Sequence, residues 1–150
     1  EDHPNVKLII IGEDAGYKGE LEKLARKLRV DDKIIFAQAV SEKEKIELFH
    51  RADIFPFPSK MEGFGIVLLE AMATNTLCIG YSIPAIKKII NNKENGIIVD
   101  NKSEFFDNIL YFLKNKEAKS KIEKVALDEI GKYDIKNAVE KLIDLYARVY

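Results

Sequence analysis

The sequence predicts an α/β fold of the Rossmann-like kind, a parallel sheet flanked by helices. Two observations carry this. Five short apolar runs alternate with stretches of helical periodicity along the chain, and each run is apolar almost throughout rather than at every second residue. Strands apolar throughout are buried on both faces, and strands separated by helices pair in parallel. A third observation is permissive: 150 residues with 47% apolar content can bury a real core as one domain spanning 1–150.

Each element follows from its own residues. Val6 to Ile11 is a strand that stops at Gly12. Tyr17 to Arg29 carries Leu21, Leu24, Ala25 and Leu28 at i, i+3, i+4 and i+7, an amphipathic helix. Lys33 to Ala37 is the second strand. Ser41 with Glu44 three residues later forms a capping box that opens a helix over Glu42 to Arg51. Asp53 to Phe57 is a strand stopped by Pro58, and Gly65 to Thr74 is helical. Leu77 to Gly80 is a strand, and Pro84 to Asn91 a short helix with proline in its first turn. Ile97 to Val99 is the last strand. Three helical patterns close the chain, around Phe106 to Leu113, Ala118 to Ile130 and Val139 to Tyr146.

Composition narrows function. Twenty-four Lys and Arg against 25 Asp and Glu give a net charge of -1, which argues against a nucleic-acid partner. Cys78 is the only cysteine, so an intrachain disulfide and a Cys-x-x-Cys metal site are excluded, and a reducing, cytoplasmic setting is expected. No apolar run approaches the ~20 residues of a membrane helix. The chain starts without Met, at Glu1-Asp2-His3-Pro4, which reads as a linker and suggests a piece of a longer enzyme.

In doubly wound sheets, ligands bind beyond the carboxyl ends of the strands. The segment there that carries chemistry is Glu62-Gly-Phe-Gly-Ile-Val-Leu-Leu-Glu70-Ala-Met-Ala. Its helix is apolar on every side and is expected to be buried over the sheet. Glu70 interrupts it and requires a hydrogen-bonding partner, for which a vicinal hydroxyl pair is one candidate. Gly63 and Gly65 let the backbone turn and a ligand approach. The amides of Gly65, Ile66 and Val67 then face outward at the positive end of the helix dipole, an anion site suited to a diphosphate. Glu62 precedes them on the loop and is placed to grip sugar hydroxyls.

Glu62 and Glu70 make an E-x7-E pattern, and the surrounding Pro58-Ser59-x-x-Glu62-Gly-Phe-Gly-x-Val-Leu-Leu-Glu70-Ala-Met-Ala resembles the family 4 glycosyltransferases. The resemblance extends from Val6 to Val99, through Phe36 to Val40, Ala52-Asp53 and Asn95-Gly96. It implies the C-terminal half of a two-domain GT-B fold, with the N-terminal acceptor domain and the first strand of this half lying outside the sequence. It implies a retaining hexosyltransferase of the kind found in polysaccharide biosynthesis. Glu62 would take the catalytic part and, with Phe64 and Gly65, hold the donor sugar. Gly65, Ile66 and Val67 would hold the phosphates, Glu70 the ribose, and backbone at Val40 the base. The donor would be a UDP-, GDP- or ADP-sugar, with no cofactor and no metal, and the sequence has no D-x-D motif. The acceptor, a sugar or lipid-linked glycan, would be held by the missing domain, and the longer enzyme could associate peripherally with a membrane.

Departures from the family pattern are Thr74-Asn75 where a Gly is common, and Pro84-Ala85 and Lys88 in place of a Gly-Gly and a later Glu. Asn tolerates positive φ, so the first departure is compatible with the same turn. Other candidates weigh less. Gly12 and Gly16 suggest a phosphate loop, although strand-ending glycines more often only make turns. Cys78 reads as core, His50 as helix surface near a C-terminus, Lys87 and Lys88 as a solvated face. Phe105, Phe106, Tyr111 and Phe112 match core spacing. The rival functions are a non-catalytic Rossmann-type nucleotide-binding module and a nucleotide-sugar epimerase-like domain. A dehydrogenase would want G-x-G-x-x-G after the first strand, and Gly12-Glu-Asp-Ala-Gly16 does not supply it.

Overall fold

The computed structural model describes residues 5–149; Glu1 to Pro4, read above as a linker and including His3, and Tyr150 lie outside them. The chain divides into two compact units, Glu1–Lys45 and Ile46–Tyr150.

In the first unit, β1 (Leu8–Ile11) and β2 (Ile34–Ala37) pair in parallel, from Leu8 opposite Ile34 to Ile11 opposite Ala37. Between them lie α1 (Lys18–Leu28) and a 3-10 turn at Asp31–Lys33. Of the stripe predicted for α1 only Ala25 is buried, while Leu21, Leu24 and Leu28 stay exposed. The predicted capping box at the start of α2 (Glu42–Arg51) is present. The Ser41 amide donates to Glu44 Oε2 at 2.8 Å, and the Glu44 amide donates to Ser41 Oγ at 3.3 Å. The Ser41 hydroxyl donates to Glu44 Oε2 at 2.6 Å, and this bond first, then the Ser41 amide's, holds the Glu44 carboxyl below the usual carboxylate range.

The second unit is built on β3 (Ile54–Phe57), β4 (Leu77–Tyr81) and β5 (Ile97–Val99), parallel in that order. Every pairing within each of the two sheets is parallel, and the strands form a pair and a triplet rather than one ladder. Pro56 has no N–H to give, and β3 is an edge of its triplet. Around the sheet run α3 (Ile66–Ala73), α4 (Pro84–Lys87), α5 (Lys102–Lys114), α6 (Lys116–Glu129), a 3-10 turn at Ile130–Tyr133 and α7 (Ile135–Val149).

Alternation along β4 explains why this sheet is covered on both faces. Leu77 and Ile79 point into a cluster with Ile97, Val99, Phe105 and Phe112, so α5 packs on that side. Cys78 points into the other cluster with Leu68, Met72, Ile86 and Ile90, so α3 and α4 pack there. The α6 helix serves both, through Ile122 and Ala126. Each fully buried side chain such as Leu68 or Ile79 contributes about 1.5–3 kcal/mol.

Gly80 and Gly96 are required by packing: a Cβ would lie 2.9 Å from Ile86 Cδ1 at the first and 3.0 Å from Ile90 Cγ2 at the second. Cys78 is core, as predicted, and burial pushes its thiol pKa well up. Of the four aromatics on α5, Phe105 and Phe112 are buried, but Phe106 and Tyr111 are about half exposed, so only half of that expectation holds. No helix among the described residues is long and apolar enough to cross a membrane.

Candidate functional site

Glycine makes the tip of α3. Gly65 is its N-cap with φ 92° and ψ 42°, a left-handed conformation that a Cβ disfavours, and no side chain caps the helix there. The Leu68 amide turns back to the Gly65 carbonyl at 2.9 Å. The amides of Ile66 and Val67, at the start of the helix, have no place in its i to i−4 ladder. Two turns of aligned peptides put partial positive charge behind them. Gly63 is different: its φ is not positive and a Cβ would meet nothing within 4 Å, so only Gly65 of the predicted pair needs to be glycine.

The expectation that α3 is buried all round is corrected. Leu68, Ala71 and Met72 are buried, whereas Ile66 is 63% exposed, Glu70 is half-buried and Ala73 is exposed. Residues 66, 70 and 73 lie at i, i+4 and i+7, so they form one open face turned away from the sheet. Eight residues give the sheet one side to cover, and uniform apolarity cannot say which. Glu70 therefore stands one turn below Ile66 on the open face, and it has an interaction within the chain. The open face relieves the burial cost expected for its carboxylate.

At the C-terminus of α3 the turn survives the departure from glycine. Asn75 adopts φ 59°, its amide bonds the Met72 carbonyl at 3.1 Å, and the Thr76 amide bonds Ala71 at 3.0 Å. Thr76 Oγ1 donates to the Phe49 carbonyl at 2.7 Å, which fixes this end of the helix against α2.

The loop before α3 is organised by its own side chains. Ser59 Oγ donates to the Met61 carbonyl at 2.7 Å, and the Gly63 amide donates to Glu62 Oε1 at 2.9 Å. Phe64, 46% exposed, meets the ring of Tyr133 edge-on, centroids 6.5 Å apart at 71°. Nearby, Asn95 is buried and bonds three ways. Its Oδ1 accepts from the Asn91 amide at 2.7 Å, and its Nδ2 donates to the Ile89 carbonyl at 3.2 Å and to Glu129 Oε2 at 2.6 Å. Lys132, then Asn95, hold the Glu129 carboxyl below its usual range.

The structure thus brings Glu62, Phe64, Gly65, Ile66, Val67 and Glu70 together on one loop and helix tip. Val40 is on a different unit, half-buried just before the Ser41 cap. The Gly12 to Gly16 segment is a carboxylate-capped turn. Asp14 Oδ1 accepts from the amides of Gly16 at 2.8 Å and Lys18 at 3.1 Å, filling the positions a phosphate would take. Those bonds, that to Lys18 foremost, lower the Asp14 pKa. His50, Lys87 and Lys88 are exposed, in keeping with the surface readings.

A cleft of about 360 Å³ opens beyond β3, β4 and β5, at strand ends of the kind where a parallel sheet is expected to hold ligands; Lys60, Tyr81, Ser82 and Ile83 lie on the expected loops, and Asp100 and Asn101 add a side that was not foreseen. Tyr133, far along the chain from Phe64, escaped sequence reasoning, because no local pattern joins the two.

Solved structures share the architecture. HepE of Anabaena, crystallised with UDP-glucose, superposes with a TM-score of 0.85 at 18% identity, over 97% of this chain and 42% of that one. The C-terminal domain of LpcC from Francisella tularensis, a group 1 glycosyl transferase, superposes with a TM-score of 0.75 at 29% identity, over 89% of this chain and 71% of that one. The architecture is that of the GT-B glycosyltransferase fold.

The family model for glycosyl transferases group 1 matches residues 1–128, and the chain belongs to that family. An uncharacterized glycosyltransferase of Methanocaldococcus jannaschii is 33% identical over 139 residues, 85% of this chain and 35% of that protein. D-inositol 3-phosphate glycosyltransferase of Corynebacterium urealyticum is 25% identical over 147 residues, 94% of this chain and 35% of that protein. The chain thus spans about a third of the length of the curated relatives it matches.

Proposed function

We propose that this chain is the donor-holding part of a retaining glycosyltransferase, binding a nucleoside diphosphate sugar without a divalent metal for transfer to a sugar or lipid-linked acceptor. The observation that carries this is the uncapped tip of α3, with a left-handed Gly65, the Ile66 and Val67 amides at its start, and a carboxylate on either side. The tip supplies the positive field that a leaving diphosphate requires as its bond to the sugar breaks. Glu62 holds sugar hydroxyls from the loop, and Glu70 accepts from the ribose on the open helix face. Phe64 and Gly65 set the distance of the loop from the sugar. Transfer itself needs an acceptor held at near-attack distance, which this reading assigns to the rest of a longer enzyme.

The test is calorimetry of Glu62→Gln and Glu70→Gln against UDP and UDP-glucose, with and without EDTA, after thermal melts show both folded. Glu70→Gln should weaken UDP and UDP-glucose alike by about 1.5–3 kcal/mol, the size of a charge-assisted hydrogen bond. Glu62→Gln should leave UDP unchanged and weaken only the sugar-bearing ligand. GDP- and ADP-sugars serve as parallel probes. If Glu62→Gln weakens bare UDP as much as Glu70→Gln does, the roles are misassigned. Binding that disappears with EDTA refutes metal independence.

A further inference from the structure

We infer that Tyr133 is a positioning residue for the tip of α3, fixing the Glu62–Gly65 loop from the far end of the chain; this rests on the reading of that tip as the donor site. Tyr133 contacts the sequence neighbours of Gly65 and of a residue that packs on it. Its ring meets Phe64 edge-on, the residue directly before Gly65. Its hydroxyl donates to the Lys88 carbonyl at 2.9 Å. The next residue, Ile89, packs on Gly65: its Cδ1 would stand 3.5 Å from a Cβ there. One side chain therefore ties the loop, through a ring contact, to the segment after α4, through a hydrogen bond.

Tyr133 is itself held in place. Lys132 Nζ lies 5.4 Å from the centre of its ring and 3.1 Å from Glu129 Oε2. Glu129 is bonded to the buried Asn95, which also binds the Ile89 carbonyl. The Ile130–Tyr133 turn and the segment after α4 are thus joined twice, by Tyr133 to Lys88 and by Glu129 through Asn95 to Ile89. A side chain serving only to fill space against Phe64 would need the ring alone. The hydroxyl on a main-chain carbonyl adds direction, and direction is what a loop containing Gly63 and Gly65 lacks. Fixing that loop beforehand lowers the ordering cost of binding a diphosphate at the Ile66 and Val67 amides.

The experiment uses Tyr133→Ala and Tyr133→Phe in this chain, with two readouts. In the free protein, 15N relaxation should show the Phe64, Gly65 and Ile66 amides losing order in Tyr133→Ala, from ~0.85 towards ~0.6, with β4 and α6 unchanged. UDP-glucose should bind roughly three- to tenfold more weakly, as expected when an aromatic contact and a hydrogen bond are both removed. Tyr133→Phe, which keeps the ring, should fall between wild type and Tyr133→Ala in both. Should Tyr133→Ala not fold, Tyr133→Phe carries the test, since it removes one exposed hydroxyl. Unchanged order at residues 64–66 overturns the inference, and so does loss of order spread evenly through α3, β4 and α6, which marks a packing role. If wild type binds none of UDP-glucose, GDP-mannose and ADP-glucose, the proposed donor site fails instead, and the relaxation data alone decide whether Tyr133 positions the tip.

Discussion

Replacing Gly65 by alanine tests whether the α3 tip is as constrained as its geometry says. At φ 92° an alanine sits in the left-handed region, and its Cβ would lie 3.3 Å from Leu68 Cδ1, 3.5 Å from Ile89 Cδ1 and 3.7 Å from Glu62 Cγ. The backbone conformation costs about 1–2 kcal/mol, and a buried leucine that must give way raises the total to about 1–3 kcal/mol. Gly63→Ala is the internal control. Its φ is not positive and no atom lies within 4 Å of the added carbon, so lower chain entropy in the unfolded state should leave it neutral or stabilised by about 0.4–1 kcal/mol. Urea unfolding of both variants, comparing midpoints at constant m, measures the difference. Gly65→Ala should also bind UDP-glucose less tightly, because its strain lies beside the Ile66 amide. If the two variants have equal midpoints, or Gly65→Ala is the more stable, the left-handed cap is not what holds this tip.

Two further outcomes follow from the helix ends. Asn75→Gly should be neutral or slightly stabilising and Asn75→Ala destabilising by about 1 kcal/mol, because φ 59° at the end of α3 suits Gly and Asn but not Ala; urea midpoints decide. Glu44 has a folded pKa below its unfolded value, so its stabilisation is complete above the unfolded carboxyl pKa of about 4.3 and is lost as pH falls through the lowered folded value. Ser41→Ala removes the hydroxyl's bond, the largest cause, keeps the amide's, and should flatten that acid limb in part, read by melts from pH 7 down to pH 3.

How much was legible depended on whether a feature is local. The capping box at Ser41 and Glu44 and the short strand Ile97–Val99 follow from residues close in sequence, and the structure agrees with both; the proline-led α4 starts at Pro84 as expected but ends at Lys87 rather than Asn91. The Asn75 turn was readable because asparagine's tolerance of positive φ is intrinsic. The open face of α3 was not readable. Ile66, Val67, Leu68 and Leu69 are equally apolar, and their pattern does not say that the sheet lies under Leu68 while Ile66 faces out. Nor could periodicity show that α1 buries Ala25 and leaves three leucines exposed. What was legible of the candidate site is that Glu62, Phe64 and Gly65 share one loop at the start of α3, because they are neighbours in sequence. Its support by Tyr133 and Asn95 was not, because those contacts join segments that only the fold brings together.

The two glutamates also differ in what they already do. Glu62 spends one oxygen on the Gly63 amide, at 2.9 Å, so in the free protein it braces its own loop. An ionised carboxylate has about four acceptor positions, and this bond occupies one of them. Sugar hydroxyls can therefore be gripped without breaking the brace, and the same bond aims the carboxylate before any ligand arrives. Glutamine at this position keeps an acceptor oxygen for Gly63 but weakens each bond it makes by removing the charge. The loop should hold its shape while its grip on the sugar fades. Glu70 stands on a helix that Leu68, Ala71 and Met72 anchor in the core, and it has an interaction of its own within the chain. On the proposed reading, the loop acid would grip the sugar and the helix acid would accept from the nucleoside. This is the physical reason for expecting Glu62→Gln to spare UDP while Glu70→Gln does not.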